Sequence, residues 1–335
     1  MEKSNVEMLY EWLDQTVEII QKHEEESYLD SLTTTMEVLF YQDVPKAMDD
    51  ILSYKVQNAL KEVDFGGYKV EDIRKGIQLA ILKGMKDSTQ QQHLMTPETV
   101  ALLVGYFAEK ITVGKKKVSL FDPVSGTANL LTTVMNQLDR QVVEAYAGEV
   151  DPTLIQLGML NANLQQKEIE FFHQDSLRPF LLDPVDLVVA DLPVGYYPDD
   201  IRANDFELKA DEGHSYSHHL FIEQALNYTN TGGYLIFVIP DFLFNSDQSD
   251  KLHSFMQQYA HIVGVVRLPE SAFKSEKNMK SILILQKAGE GTSAPKQPLL
   301  VQMPSFKNTA AMSDILEQMN TWFSKYNNRE LNNDE

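Results

Sequence analysis

The chain has no cysteine. That excludes a disulfide scaffold, a thiolate zinc site and a cysteine nucleophile, and it suits a reducing compartment. Bases are scarce relative to acids: 29 Lys and Arg stand against 49 Asp and Glu, a net charge of −20. DNA phosphates need a positive surface, so tight unaided binding to DNA is not expected. Long apolar runs are missing as well. The longest, YLIFVI at 234–239, is far too short to span a bilayer, so no membrane partner is expected. The opening MEKSNVEMLYEWLDQ carries acids and no apolar h-region, which is not a signal-peptide pattern. A cytoplasmic protein is the expectation. G-x-G-x-x-G is absent, which removes the main support for a nicotinamide-nucleotide site, and no G-x-S-x-G elbow offers a hydrolase serine. What remains is ordinary for a globular chain: 43% hydrophobic and 23% charged residues, with ample length for a real core.

The first 90 residues read as helical. Val6, Leu9, Leu13, Val17 and Ile20 recur at three- and four-residue steps. MEVLFYQDVPKAMDDILSYKVQNALKEV, interrupted at Pro45, and VEDIRKGIQLAILKGM repeat the pattern. Residues 1–90 are therefore expected to form a helical domain. The texture then changes. Apolar strands at 118–124, 142–150, 169–175, 185–193, 233–240, 261–269 and 280–288 alternate with amphipathic helices. This predicts a doubly wound, mostly parallel, seven-stranded α/β sheet over residues 91–335, with ligands beyond the carboxyl ends of its strands.

Four of those strands end in an acid: Asp122, Glu149, Asp175 and Asp191. Four acids at one sheet edge predict an electronegative crevice suited to a cation or to hydroxyl and amino donors. Gly126 lets the backbone approach a ligand, and a helix from Ala128 presents free N–H groups. Glu149 suits a ribose diol, as acids after the second strand do in nucleotide folds, and Asp175 suits an adenine amino group.

The ordered series resembles class I S-adenosylmethionine-dependent methyltransferases, and more closely the adenine-specific DNA methylases found as modification subunits of type I restriction systems. HLMTPETVALLVGYF resembles their T-P motif, and DPVSGTANLL their D-P-A-C-G-S-G-G-F-L loop, with Ser125 for Cys and Ala128 and Asn129 for glycines. DLVVADLPVGYY resembles D-x-x-x-x-N-P-P-F-G, and VVRLPESAFKSEKNMKSILILQK the later L-P-x-x-x-F element. The resemblance implies S-adenosylmethionine as cofactor, with Thr96 and Pro97 at its methionine end. It also implies cofactor contacts from Asp122, Pro123, Gly126, Thr127, Ala128 and Asn129, from Glu149 and Val150, from Asp175 and Ser176, and from Asp191. It implies a methylase that uses Asp191 and Pro193 to orient an adenine amine. Val194 stands where the family has an aromatic ring. Tyr196 and Tyr197 are the candidates for a stacking ring, with packing of the loop as the alternative. No separate target-recognition domain is expected after the sheet. DNA, reached weakly or through a partner, is the expected acceptor. A cofactor-binding protein without catalysis, or a methylase of protein or small molecules, are the other readings.

Residues 198–213 place six acids against Arg202 and Lys209, which would repel a DNA backbone unless a partner covers them. Thr96 reads as a helix N-cap with Pro97 at the first turn. His214 and His218 stand four apart, but without the H-E-x-x-H pattern they read as lining, capping or packing the loop, and no metal is assigned.

Overall fold

The computed structural model describes residues 3–87, 95–138, 142–273 and 278–333. The expected domain boundary between residues 90 and 91 lies outside them, as do residues 274–277, which follow the L-P-x-x-x-F element of residues 268–273. Two compact units are present, each assembled from three chain segments. The first comprises Met1–Met95, Ser125–Thr132 and Glu149–His173; the second comprises Thr96–Val124, Thr133–Gly148 and Gln174–Glu335.

In the first unit, helices α1 (Asn5–Glu24), α2 (Tyr28–Tyr41), α3 (Asp50–Leu60) and α4 (Val70–Asp87) follow the apolar spacing. Ser4 opens α1 with a capping box: its hydroxyl accepts the Glu7 N–H, and the Glu7 carboxylate accepts the Ser4 N–H. Asp49 caps α3 by accepting N–H groups from Ile51 and Leu52. Leu9, Leu13, Val17, Leu32, Met36, Ile77 and Ile81 form the core. Helix α7 (Pro152–Leu164) belongs to this core too, because Leu157, Leu160 and Leu164 pack into it. This unit also holds β3 (Ile169–His173).

In the second unit, β1 (Lys117–Asp122), β4 (Val185–Asp191) and β5 (Thr229–Pro240) run parallel to one another and to β2 (Val142–Glu149). Their central positions are nearly continuous apolar runs, as strands covered on both faces require. Strand β7 (Lys280–Lys287) is inserted antiparallel between β5 and β6 (Ala260–Arg267). Within this unit the strand order is β2-β1-β4-β5-β7-β6-β8. The predicted doubly wound α/β class is the one observed. Among the described residues, however, the chain forms eight strands where seven were expected. The addition is β8 (Leu299–Gln302), parallel to β6, with only Leu299 buried. Four residues with one buried side chain give too short an alternation to read from sequence. Helix α11 (Thr309–Asn333) closes the unit, with Phe323 against Phe107 of α5 (Glu98–Ile111) at a ring separation of 6.0 Å. Among the described residues, no helix is long and apolar enough to cross a membrane.

Candidate active site

In the first unit, the turn before α6 (Asn129–Gln137) is held by its own backbone. Gly126 has φ +53° and open space where a Cβ would project. A side chain there would strain the backbone, and its absence leaves room over the peptide. Ala128 also sits in the left-handed region, at φ 58°. It occupies a conformation that favours glycine, at a cost of about 1 kcal/mol. The helix begins at Asn129, one residue later than expected. Gly158 of α7 packs under this turn, where a Cβ would meet the Gly126 carbonyl at 3.2 Å. Asn161 donates to the Thr127 carbonyl at 2.9 Å and fixes it.

Glu149 is buried at the same turn. Its Oε2 accepts the Gly126 N–H at 2.9 Å, and its Oε1 accepts the N–H groups of Val150 and Asp151 at 2.9 and 2.8 Å. A carboxylate can accept about four hydrogen bonds, so Oε2 retains capacity for a hydroxyl donor. Val150 itself is exposed.

In the second unit, sheet register decides what meets at the strand ends. Asp191 is the last residue of β4 and lies across from Val238 of β5. Two residues further along β5, Pro240 faces Lys280, the first residue of β7. Because β7 runs antiparallel, its beginning lies where the parallel strands end. Lys280 Nζ therefore donates to Asp191 Oδ1 at 2.5 Å. Thr96 donates its hydroxyl to the other oxygen, Oδ2, at 2.9 Å. The expected N-cap role of Thr96 is thus corrected: Pro97 holds the N-cap position of α5, no side chain caps that helix, and Thr96 turns to Asp191.

The bare electronegative edge expected from four acids is corrected too. In this unit Asp191 is paired with Lys280, and Asp241, just past β5, is paired with Arg267 at 2.9 Å. Asp122 is buried and accepts the Val124 N–H through Oδ1 at 3.0 Å. Pro123 is buried beside it. Asp175 follows β3 by two residues instead of ending it; Oδ1 accepts the Leu177 N–H at 3.0 Å and Oδ2 the Tyr197 hydroxyl at 2.5 Å. Ser176 Oγ is buried without a hydrogen-bond partner, close to the point a Cβ on Gly148 would occupy.

The two tyrosine candidates separate. Tyr197 is buried, and burial together with Asp175 pushes its phenol upward, so it packs the loop. Tyr196 is 57% exposed and stacks on Tyr216 with ring centroids 4.8 Å apart and 12° between planes. Tyr216 stacks in turn on His218 at 5.0 Å. Neither His218 nor His219 meets a partner at full hydrogen-bond geometry. Burial, with His219 adding to it, lowers His218 to about 3, and the backbone of Pro193 offsets this only in part. Burial lowers His219 to about 4. His214 instead lies outside this pair, within 2.9 Å of Asp200.

Sequence reasoning missed Lys280 and Tyr216. The only signal for Lys280 was a charge opening an otherwise apolar strand, MKSILILQ.

Within the first unit, the open glycine turn and Glu149 suit a hydroxyl donor such as a ribose; within the second, Asp191 is a carboxylate held on both oxygens. Comparison with known proteins agrees. The family model described as YtxK N-terminal helical domain matches residues 7–85, and that described as N-6 DNA Methylase matches residues 83–329. The uncharacterized protein YtxK of Bacillus subtilis is 46% identical over 327 residues, covering 97% of this chain and 99% of its own. A Listeria monocytogenes structure provisionally described as a class I S-adenosylmethionine-dependent methyltransferase superposes with TM-score 0.90 at 42% identity, covering 95% of this chain and 99% of that one. A modification subunit of a provisionally assigned type I restriction enzyme from Vibrio vulnificus shares the fold, with TM-score 0.65 at 17% identity over 85% of this chain and 65% of that one. These relationships imply S-adenosylmethionine as the cofactor. The chain belongs to the N-6 DNA methylase family.

Proposed function

We propose that the protein methylates the exocyclic amine of adenine in DNA or a related nucleic acid. The observation that carries this reading is the held carboxylate of Asp191, immediately before Leu192 and Pro193, with a hydrogen-bond donor on each oxygen. The lone pair of an exocyclic amine is conjugated with its ring, so the protein's task is orientation and electrostatics. When bound, the cofactor would supply an electrophilic methyl, whose carbon would bond to the amine nitrogen while the electrons of the broken C–S bond stayed on sulfur and the amine proton left to solvent. Asp191 and the Leu192 carbonyl accept from the amine, and Pro193 fixes the turn that presents them. Tyr196 offers the ring face that Val194 lacks.

Thr96 and Pro97, Asp122 and Pro123, Asp175 and Ser176, and Asp191 are assigned to the cofactor from the second unit. Within the first unit, Gly126, Thr127, Ala128, Asn129, Glu149 and Val150 form a candidate cofactor surface of their own, with Glu149 able to accept from a ribose hydroxyl.

The acidic segment favours a second reading, in which the amine belongs to a protein or small molecule. Two of its acids are compensated locally, by Arg202 with Asp205 and Lys251 with Asp211, which keeps DNA ahead. The test is transfer of labelled methyl from S-adenosylmethionine to duplex and single-stranded DNA at low salt. Label on adenine is expected, with Asp191→Ala lowering transfer by about a thousandfold while cofactor binding survives. Full activity in that variant would overturn the assignment; cofactor binding without DNA label would move the acceptor elsewhere.

A further inference from the structure

The motif that this segment resembles carries asparagine or aspartate at this position, and this chain has Asp191. An aspartate there brings a negative charge to the place where a sulfonium cation and a neutral amine must meet. Lys280 answers that charge. Its ammonium lies 2.5 Å from Oδ1, with only 13% of the Asp191 side chain and 23% of the Lys280 side chain exposed, so water screens the pair weakly. The pairing follows from the antiparallel insertion of β7, which sets Lys280 across from Pro240, at the edge where β4 and β5 finish. Thr96 on Oδ2 completes the clamp without adding charge.

We propose that Lys280 is a positioning residue whose charge cancels that of Asp191, so that the aspartate serves as a net-neutral amine acceptor. The proposal rests on the function given above. The clamp fixes the rotamer of Asp191 and leaves each oxygen with capacity for a further donor. Cancellation also has a catalytic consequence. An unbalanced carboxylate would bind the sulfonium tightly in the ground state, and binding gained there does not lower the barrier to transfer.

The proposal is tested by the preference for S-adenosylmethionine over S-adenosylhomocysteine, which differ by the methyl and its positive charge. Calorimetric affinities for both ligands are compared in the full-length protein, Asp191→Asn, Lys280→Met, Lys280→Gln and the double variant Asp191→Asn with Lys280→Met. Removing only the lysine should raise the preference for the cationic ligand about tenfold, and removing only the carboxylate charge should lower it about tenfold. The double variant should return to within about threefold of the parent, because both charges are gone. Affinity for the uncharged ligand reports a folded site in each variant, and Lys280→Gln replaces Lys280→Met if the latter fails that check. A preference unchanged in both lysine variants, with the uncharged ligand still bound, would overturn the role of Lys280 and leave the methylase reading intact. A parent protein that binds neither ligand would overturn the methylase reading, and this inference with it.

Discussion

Two carboxylates in this molecule are held in opposite ways. Glu149, in the first unit, is gripped by three backbone N–H groups. Asp191, in the second, is gripped by two side chains, Thr96 and Lys280, that are remote in sequence. Backbone donors remain whatever side chains surround them. Side-chain donors disappear with one substitution. The contrast teaches that the first grip is tied to the integrity of the fold, while the second can be adjusted without disturbing it.

Breaking the first grip should have the largest effect. Glu149→Ala leaves three N–H groups without their acceptor and should cost about 3 kcal/mol of stability, measured by denaturant unfolding. Glu149→Gln keeps one carbonyl acceptor and should lose less. A buried polar group with no grip sharpens the comparison. His218 is lowered to about 3 in the folded protein, against an unfolded value near 6.5. Between those values the unfolded chain binds the proton and the folded one does not, so stability falls as pH drops through that window. The slope attributable to one such histidine is about 1.4 kcal/mol per pH unit, and His218→Leu should flatten the profile by that amount relative to the parent. The smallest effect should come from loosening the second grip. Thr96→Val preserves shape and removes only the hydroxyl bond to Asp191. Methyl transfer should fall about fivefold with stability changed by less than about 1 kcal/mol. A large loss of stability in that variant would erase the distinction between the two grips.

The difference between the grips also explains what could be read from the chain. Strand ends and helix faces follow local periodicity, so Asp122, Glu149 and Asp191 were legible as strand-end acids. Thr96 looked like a cap because Thr-Pro-Glu has the composition of one; its real partner is 95 positions away. Lys280 was invisible for a related reason. Nothing local shows that its strand enters the sheet in the reverse direction, and only that direction brings it to Asp191. The sequence offers Tyr196 as the stacking residue with Tyr197 as its neighbour and rival, because adjacent positions in an irregular loop have no fixed periodicity. The short bridge of Tyr196 to Tyr216 separates them by turning one outward. Strand β8 escaped because four residues carry too little pattern.

Helix α7 has a consequence for how such chains can be recombined. The N-terminal helices look like a detachable module in linear sequence, yet their core includes Leu157, Leu160 and Leu164, which arrive from beyond β2. Deleting or exchanging the first 87 residues alone would strip three leucines of their cover, a penalty of about 6 kcal/mol at ordinary burial values. Grafting a foreign helical module onto this sheet therefore demands matching changes in α7. The exchangeable unit is a set of three separate segments, and a crossover at one point in the gene cannot move it.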